Sequence, residues 1–530
     1  MRPMLKPIAA ALLLALAGAS GCASAPVTHR HELRVAFAID PASLSPLVAF
    51  QQDEIALDQL WCQTLVGLDE RNRIVPILVT RIPSRENGDV SGDGTRITYH
   101  LRRDVRFADG VPFTSADVAF TFRALFDPAN ETSGIDAYQR VTGLTTPDAH
   151  TVVVRLRKPW SAAVNVLFAQ ADFAYGILPK HAFASTKISG TQWEQKAFGT
   201  GPFRVVAWHR GESLELEPNP EYRPKPKLRR ILLRIIPDQT AALNALHTHE
   251  VDVAELNPDT VAAAAGIAGV RIDRLPQNGL RALYFQTTAE PTNDVHVRRA
   301  IAYALDPRAL SKAWLGAFPR AMSIFPTPLR TWGAAPPPYP YDPAAAAREL
   351  DAAGWHLRGR NRVKAGKQLE FVGAYDASKP ELGRVTVVVQ NQLAQLGVGV
   401  TVKAYANNLY SSPAGPLRTG RFSFTTGGLI GGSDPEQSIN LLCSQARDGG
   451  DNYARFCSPA LETYFTRQMA ARSEAERHRD FDAIAKIARD EVPLLPLFEI
   501  LYVQGVDTRV TGYTRNMLRY PVRAEAWDAL

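Results

Sequence analysis

The sequence of 530 residues predicts a mixed α/β fold divided into three lobes, and three observations predict it. Beyond its first two dozen residues the chain still holds about 500, too many for one apolar core. Long windows with apolar residues at helical spacing alternate with short β-rich runs, a mixture expected of α/β architecture. A proline-rich connector, "PPPYPYDP" at 336–343, interrupts the second half.

The elements follow in order. "MRPMLKPIAAALLLALAGASGC" (1–22) has a cationic start at Arg2 and Lys6, an apolar run, then small residues up to Cys22. It reads as a secretory signal. The Ala19-Ser20-Gly21-Cys22 ending resembles a bacterial lipobox, so Cys22 is expected to carry a lipid and to tether the mature protein in the periplasm. No later stretch reaches the ~20 apolar residues of a membrane span. "LRVAFAID" (33–40) reads as a buried strand, and "EIALDQLWCQTLVGLD" (54–69) has helical spacing. Around 88–107 a turn leads into an alternating strand. A helix then opens at "TSADVAFTFRALFD", with Thr114 or Ser115 as N-cap and Asp117 in its first turn. "HTVVVRLRKP" and "PFRVVAWHRGESLELEPNPEY" read as strands, and "QTAALNALHTHEVDVAE" as a helix running to a short strand. In the second half "DVHVRRAIAYALDPRALSKAWL" and "DPAAAARELDAAGW" are helices opened by Asp. "LGRVTVVVQNQLAQLGVGVTVKAYA" gives a helix, a Gly stop and a strand.

Composition excludes more than it identifies. The formal charge is +7, of which Arg2 and Lys6 supply two, and the basic residues are scattered apart from "RPKPKLRR" (223–230). A nucleic-acid-binding stripe is therefore not expected. Besides Cys22 there are three cysteines; Cys443 and Cys457 can staple one loop in an oxidising compartment, and Cys62 reads as a buried thiol. His247 and His249, two apart on a helix, point to different faces, so no metal site is predicted. HExxH, the phosphate-loop motif and G-x-S-x-G are all missing, and Ser433 in "GGSDP" lacks the frame of a nucleophile elbow. The sequence gives no positive evidence for catalysis, and neither an enzyme nor a cofactor is expected.

Six stretches, in order, resemble landmarks of the bacterial extracellular solute-binding proteins of the oligopeptide/dipeptide/nickel ABC-importer family. They are "GTRITYHLRRDVRFADGVPFTSADVAFTF" (94–122), "FGTGPFRVVAW" (198–208), "LEPNPEYR" (216–223), "NDVHVRRAIAYALDPRAL" (293–310), "AARELDAAGW" (346–355) and "DEVPLLPLF" (490–498). For most of these residues a scaffold role is expected. Gly199, Gly201 and Pro202 would shape a tight turn before a strand, and Arg298 and Arg299 sit on a helix with apolar face Val297, Ala300, Ile301 and Ala304. The resemblance implies a two-lobed, hinged receptor with an extra domain. Lobe I would comprise 30–77, 190–286 and 498–530, the additional domain 78–189, and lobe II 287–497. Such a receptor, a monomer, would close over a solute and present it to an ABC permease in the inner membrane.

The resemblance also nominates site residues. In peptide-binding relatives the strand-to-helix turn carries a Trp, an Asp that pairs with the peptide amine, and then Asp-Pro. Anchored on Asp434-Pro435, Gly428 stands where the Trp is expected and Gly431 where the amine-binding Asp is expected. Two readings follow. Asp53, in "AFQQDEIA" (49–56), replaces the clamp, with Gln51 and Gln52 bonding a peptide backbone; or the solute has no free amine, such as a blocked peptide, an opine, an oligosaccharide or another conjugate. The glycine backbone, with Ser433 and Asp434, would then form a wall close to the ligand. Outside the importer class, a sensor or chaperone using the same scaffold is the alternative. Relatives that bind dipeptides carry a Cys pair resembling Cys443/Cys457.

Overall fold

A computed structural model describes residues 30–530 except 50, 133, 172, 317, 334–336 and 437–439. The signal segment and Cys22 lie outside the described residues, as does part of the helix-like run after Pro435. One ten-stranded mixed sheet spans the molecule. At one end the parallel strands Glu32–Phe37, Arg230–Ile235 and Val253–Glu255 lie beside the hairpin of Phe203–His209 and Ser213–Pro218. At the other end Glu370–Asp376 pairs in parallel with Gly399–Tyr405 and Phe424–Ile430. Two long antiparallel strands, Val270–Phe285 and Leu494–Asp507, join the ends.

The apolar residues divide accordingly. One core gathers Leu33, Trp61, Tyr99, Phe107, Phe203 and Trp527. It also takes in the separate three-stranded sheet of Arg96–His100, Thr151–Leu156 and Val141–Asp148. Two further cores pack on opposite faces of the second half of the sheet, one around Phe285, Ile301 and Phe371, the other around Leu280, Phe465 and Phe481. The halves touch where Leu329 of the second meets Ile55, Met517 and Leu518 of the first. They touch again at an Asp259–Arg384 ion pair of 3.5 Å.

Local chemistry explains the main elements. Thr114 caps the helix Ser115–Leu125 in a reciprocal capping box with Asp117. Asp342 accepts from the Ala345 N–H to open Pro343–Ala352. Gly397, at φ +78°, ends the turn between the helix Pro380–Ala394 and its following strand. Arg298 donates to the carbonyls of Glu491, Val492, Thr292 and Asn293, and Arg299 to that of Asp490, so the pair locks two helix ends together.

Three elements differ from the expectations. The helical run from Glu54 stops at Asp58, and Val66–Leu68 is a strand instead, because Leu65 and Gln170 bond across to the adjacent extended segment. The helix 294–315 is two, Val295–Ala304 and Pro307–Ala313, divided at Asp306-Pro307, where Asp306 caps the second. Gly199 and Gly201 serve close backbone approach, not a tight turn: added Cβ atoms would stand 2.2 Å from the Trp61 carbonyl oxygen and 2.4 Å from that of Leu60. Cys443 and Cys457 form a disulfide. Cys62 is free and buried, and burial, with the field of Asp58, pushes its thiol well above the usual range.

Candidate functional site

The crossing of the two long strands sets the site. Pro276 pairs with Leu501 and Leu280 with Glu499, so four steps on one strand face two on the other. The excess forms a bulge at Gln277-Asn278-Gly279, a device that re-aims side chains at functional places. The carboxyl ends of the parallel strands from both halves converge here, where open α/β sheets bind ligands.

From the first half come Gln51, Gln52 and Asp53. Gln51 caps the helix Gln52–Asp58, its N–H donating to Glu54. The Gln52 amide donates to the Leu518 carbonyl at 2.8 Å. Both carboxylate oxygens of Asp53 accept from one nitrogen of Arg519, Nη1, at 3.1 and 3.2 Å. Arg519 also donates to Gln277 at 3.3 Å, stacks over Tyr502 at 4.4 Å and lies 4.0 Å from Glu255.

From the second half come Gly428, Gly431, Ser433 and Asp434. Gly428 lies within the strand Phe424–Ile430, which runs through the first glycines of the loop. The Gly431 N–H donates to the Asn278 carbonyl at 2.9 Å, and the Asn278 amide donates to the Gly432 carbonyl. The Ser433 hydroxyl donates to the Asn165 carbonyl at 2.8 Å. Asp434 is 4 % exposed and accepts a bidentate pair from Arg477 at 2.6 and 2.9 Å, as well as bonds from Asn165 and the Glu436 N–H. The two groups of candidates therefore meet through Gln277 and Asn278, one residue facing each group.

Gln277, Asn278, Glu255, Arg281, Arg477 and Arg519 escaped the sequence reading. "QNG" inside an apolar strand is a bulge signal that could have flagged the first two. Beyond the loop, a cleft of about 250 Å³ opens between Gly432–Asp434 and the rings of Tyr138, Trp160, Phe173 and Tyr175. His249 bonds Asp507 at 3.0 Å, and no cluster of three metal-ligating side chains occurs among the described residues.

Glu255 is the unsettled charge of this junction. Burial, then repulsion from Asp53, pushes its carboxyl up to about 7, against the attraction of Arg519 and Arg515. Its folded value lies above its ordinary 4.5, so the stability it contributes is complete below that pH and is lost as pH rises through about 7. Glu255→Gln should therefore match the wild type at pH 5 and exceed it at pH 8, by about 1–2 kcal/mol after discounting for partial exposure. Urea midpoints at the two pH values read this out, and an equal shift at both would refute it.

Two halves joined by two crossing strands, with an extra sheet on the first and a polar junction between them, define a two-lobed solute receptor. The chain belongs to the bacterial extracellular solute-binding proteins, family 5, whose model matches residues 73–450. Members of this family bind small solutes and deliver them to ABC permeases; they are not enzymes. The chain is 25% identical over 501 residues to the periplasmic murein peptide-binding protein MppA of Escherichia coli (strain K12), covering 90% of this chain and 89% of that one. Its fold matches the ABC transporter substrate-binding protein CtaP of Listeria monocytogenes with a TM-score of 0.81, 21% identity and coverage of 94% and 99%. It also matches the oligopeptide-binding protein AppA of Bacillus subtilis, solved with a nonapeptide, with a TM-score of 0.73, 19% identity and coverage of 94% and 99%. Among the described residues no helix is long and apolar enough to cross a membrane.

Proposed function

We propose that this receptor captures a peptide-like solute without clamping its amine on a dedicated carboxylate. The lobes would be the segments delimited above, with the additional domain at 78–189, the whole tethered in the periplasm by a lipid on Cys22. The peptide class is supported by the extended match to a relative named for murein peptides. The observation that carries the reading of the amine is at the junction itself: Gly431 has no side chain, and the Asp53 carboxylate is held by Arg519 on both oxygens. Glu255 shares that same guanidinium. Gln51 and Gln52 of the same junction are instead suited to a peptide main chain.

The test uses the mature chain starting after Cys22, stripped of solute by unfolding and refolding. Thermal shifts are compared for a mixture of di- to pentapeptides and its N-acetylated counterpart. A ligand at a hundred times its Kd adds about 2.7 kcal/mol, a readable shift. Equal stabilisation by both mixtures is expected. Stabilisation by the free peptides alone would overturn the reading of the amine, and none by either would overturn the peptide class.

A further inference from the structure

In the second half of the sheet Gly428 stands directly opposite Arg281. A Cβ built on Gly428 would lie 2.6 Å from Nη1 of Arg281. The guanidinium therefore occupies the side-chain slot that the glycine leaves open, and any larger residue at 428 would displace it. Two residues on, on the same face of the strand, Ile430 is 61 % exposed, so this end of the strand is open where the lobes meet. The Trp314 ring forms a further wall, its centroid 6.0 Å from the guanidinium carbon.

Among the described residues Arg281 has no counter-charge within ion-pair distance. Among the described residues nothing accepts a hydrogen bond from it, and its Nε is wholly buried without a partner. Its neighbours in the same half behave otherwise: Arg298, Arg320, Arg384 and Arg477 each donate to a carbonyl or a carboxylate. The acids whose field reaches Arg281 are Glu381 and Asp376. Asp376 is already bonded to Asn407 at 2.7 Å and to Ser378 at 2.7 Å. Arg281 is only partly buried, but its Nε is shut away from water without a partner, and leaving a charged donor so is costly. Its planar fork matches a carboxylate in two parallel bonds.

We propose that Arg281 is the residue that recognises an anionic group of the solute, a carboxylate held in the slot beside Gly428. The proposal rests on the peptide reading above for the source of that carboxylate, which is either the C-terminus or an acidic side chain. The glycine and the arginine then act as a pair, the first making the space and the second filling it with charge.

The experiment uses the stripped mature chain, in the wild-type, Arg281→Met and Arg281→Lys forms. The probes are free di- to pentapeptides, the same peptides amidated at the C-terminus, an amidated set carrying one Glu, and the peptide-free carboxylates succinate and citrate. For the wild type, amidation is expected to weaken binding by about tenfold or more, the scale of a charge-assisted bond. Restoration by the Glu-containing set assigns the site to a side chain; no restoration assigns it to the C-terminus. Arg281→Met should bind free and amidated peptides alike, and Arg281→Lys should keep part of the preference. The melting temperature of ligand-free Arg281→Met should hold or rise, since an unpaired buried charge is removed, whereas a merely structural arginine would lower it. Free, amidated and amidated Glu-containing peptides all binding the wild type equally would overturn the inference and leave the peptide reading standing. If peptides fail altogether, stabilisation by succinate or citrate that is lost in Arg281→Met upholds the anion site alone. No response to any carboxylate overturns both.

Discussion

Replacing Arg477 by Met should lower the stability of the second lobe by about 3–5 kcal/mol, the usual result of leaving one member of a buried pair uncompensated. The reasons are local and numerous. Arg477 is 5 % exposed, donates to Asp434 through both terminal nitrogens, and gives two more bonds to Gln468. Its guanidinium also lies over the Trp332 and Phe481 rings at 5.2 and 5.3 Å. Asp434 in turn accepts a bond from Asn165 of the first half, so the pair supports the wall of the candidate site from behind. Urea unfolding followed by tryptophan fluorescence gives the measurement. The double variant Asp434→Leu/Arg477→Met should recover a large part of the loss, because neither charge is then left alone. A double variant as unstable as the single one would show that packing, not charge, sets the cost.

The disulfide comes next in size. Cys443 and Cys457 are 14 residues apart, and closing a loop of that length stabilises by about 3 kcal/mol through the unfolded chain. The enclosed segment is also well anchored. The Ala454 carbonyl accepts both the N–H and the hydroxyl of Thr287, the Asn452 amide bonds the carbonyls of Leu442 and Phe456, and the Cys443 N–H donates to Glu462. Cys443→Ser/Cys457→Ser should therefore melt earlier than the oxidised wild type and together with the dithiothreitol-treated wild type. The buried Cys62 gives no alternative partner. A loss under about 1 kcal/mol would mean that these anchors alone restrain the unfolded loop as well as the folded one.

What the residues disclosed in advance was mostly local. The caps at Thr114 and Asp342, the Gly397 stop and the strand at Leu33 all depend on neighbours within a few positions, and all appear where the pattern puts them. The helix from Glu54 was misjudged in length because the chain beyond it at Leu68 is drawn into pairing with Gln170, 102 positions away. The candidate site shows the same division. The glycine-rich turn was visible as a stretch of unusual backbone. Its partners were not: Asp434 meets Arg477 across 43 positions, and Asp53 meets Arg519 across 466. No periodicity connects such residues; only the closure of the fold brings them to bonding distance. Arg281 is a special case, since its significance is that no described residue accepts a hydrogen bond from it, and that cannot be read before its neighbours are placed.

The uneven crossing has a mechanical consequence. With four residues spanning what its companion crosses in two, the strand Val270–Phe285 carries slack at Gln277–Gly279, while Leu494–Asp507 runs straight past that point, its own extra residue lying further along at Leu497. Like a paired strap and tether, the straight strand can act as the fulcrum while the looser one pays out length. Lengthening there would pull Asn278 away from Gly431 and Gln277 away from Arg519 in a single movement. Release of the cargo and loosening of the joint would then be one event, not two in succession.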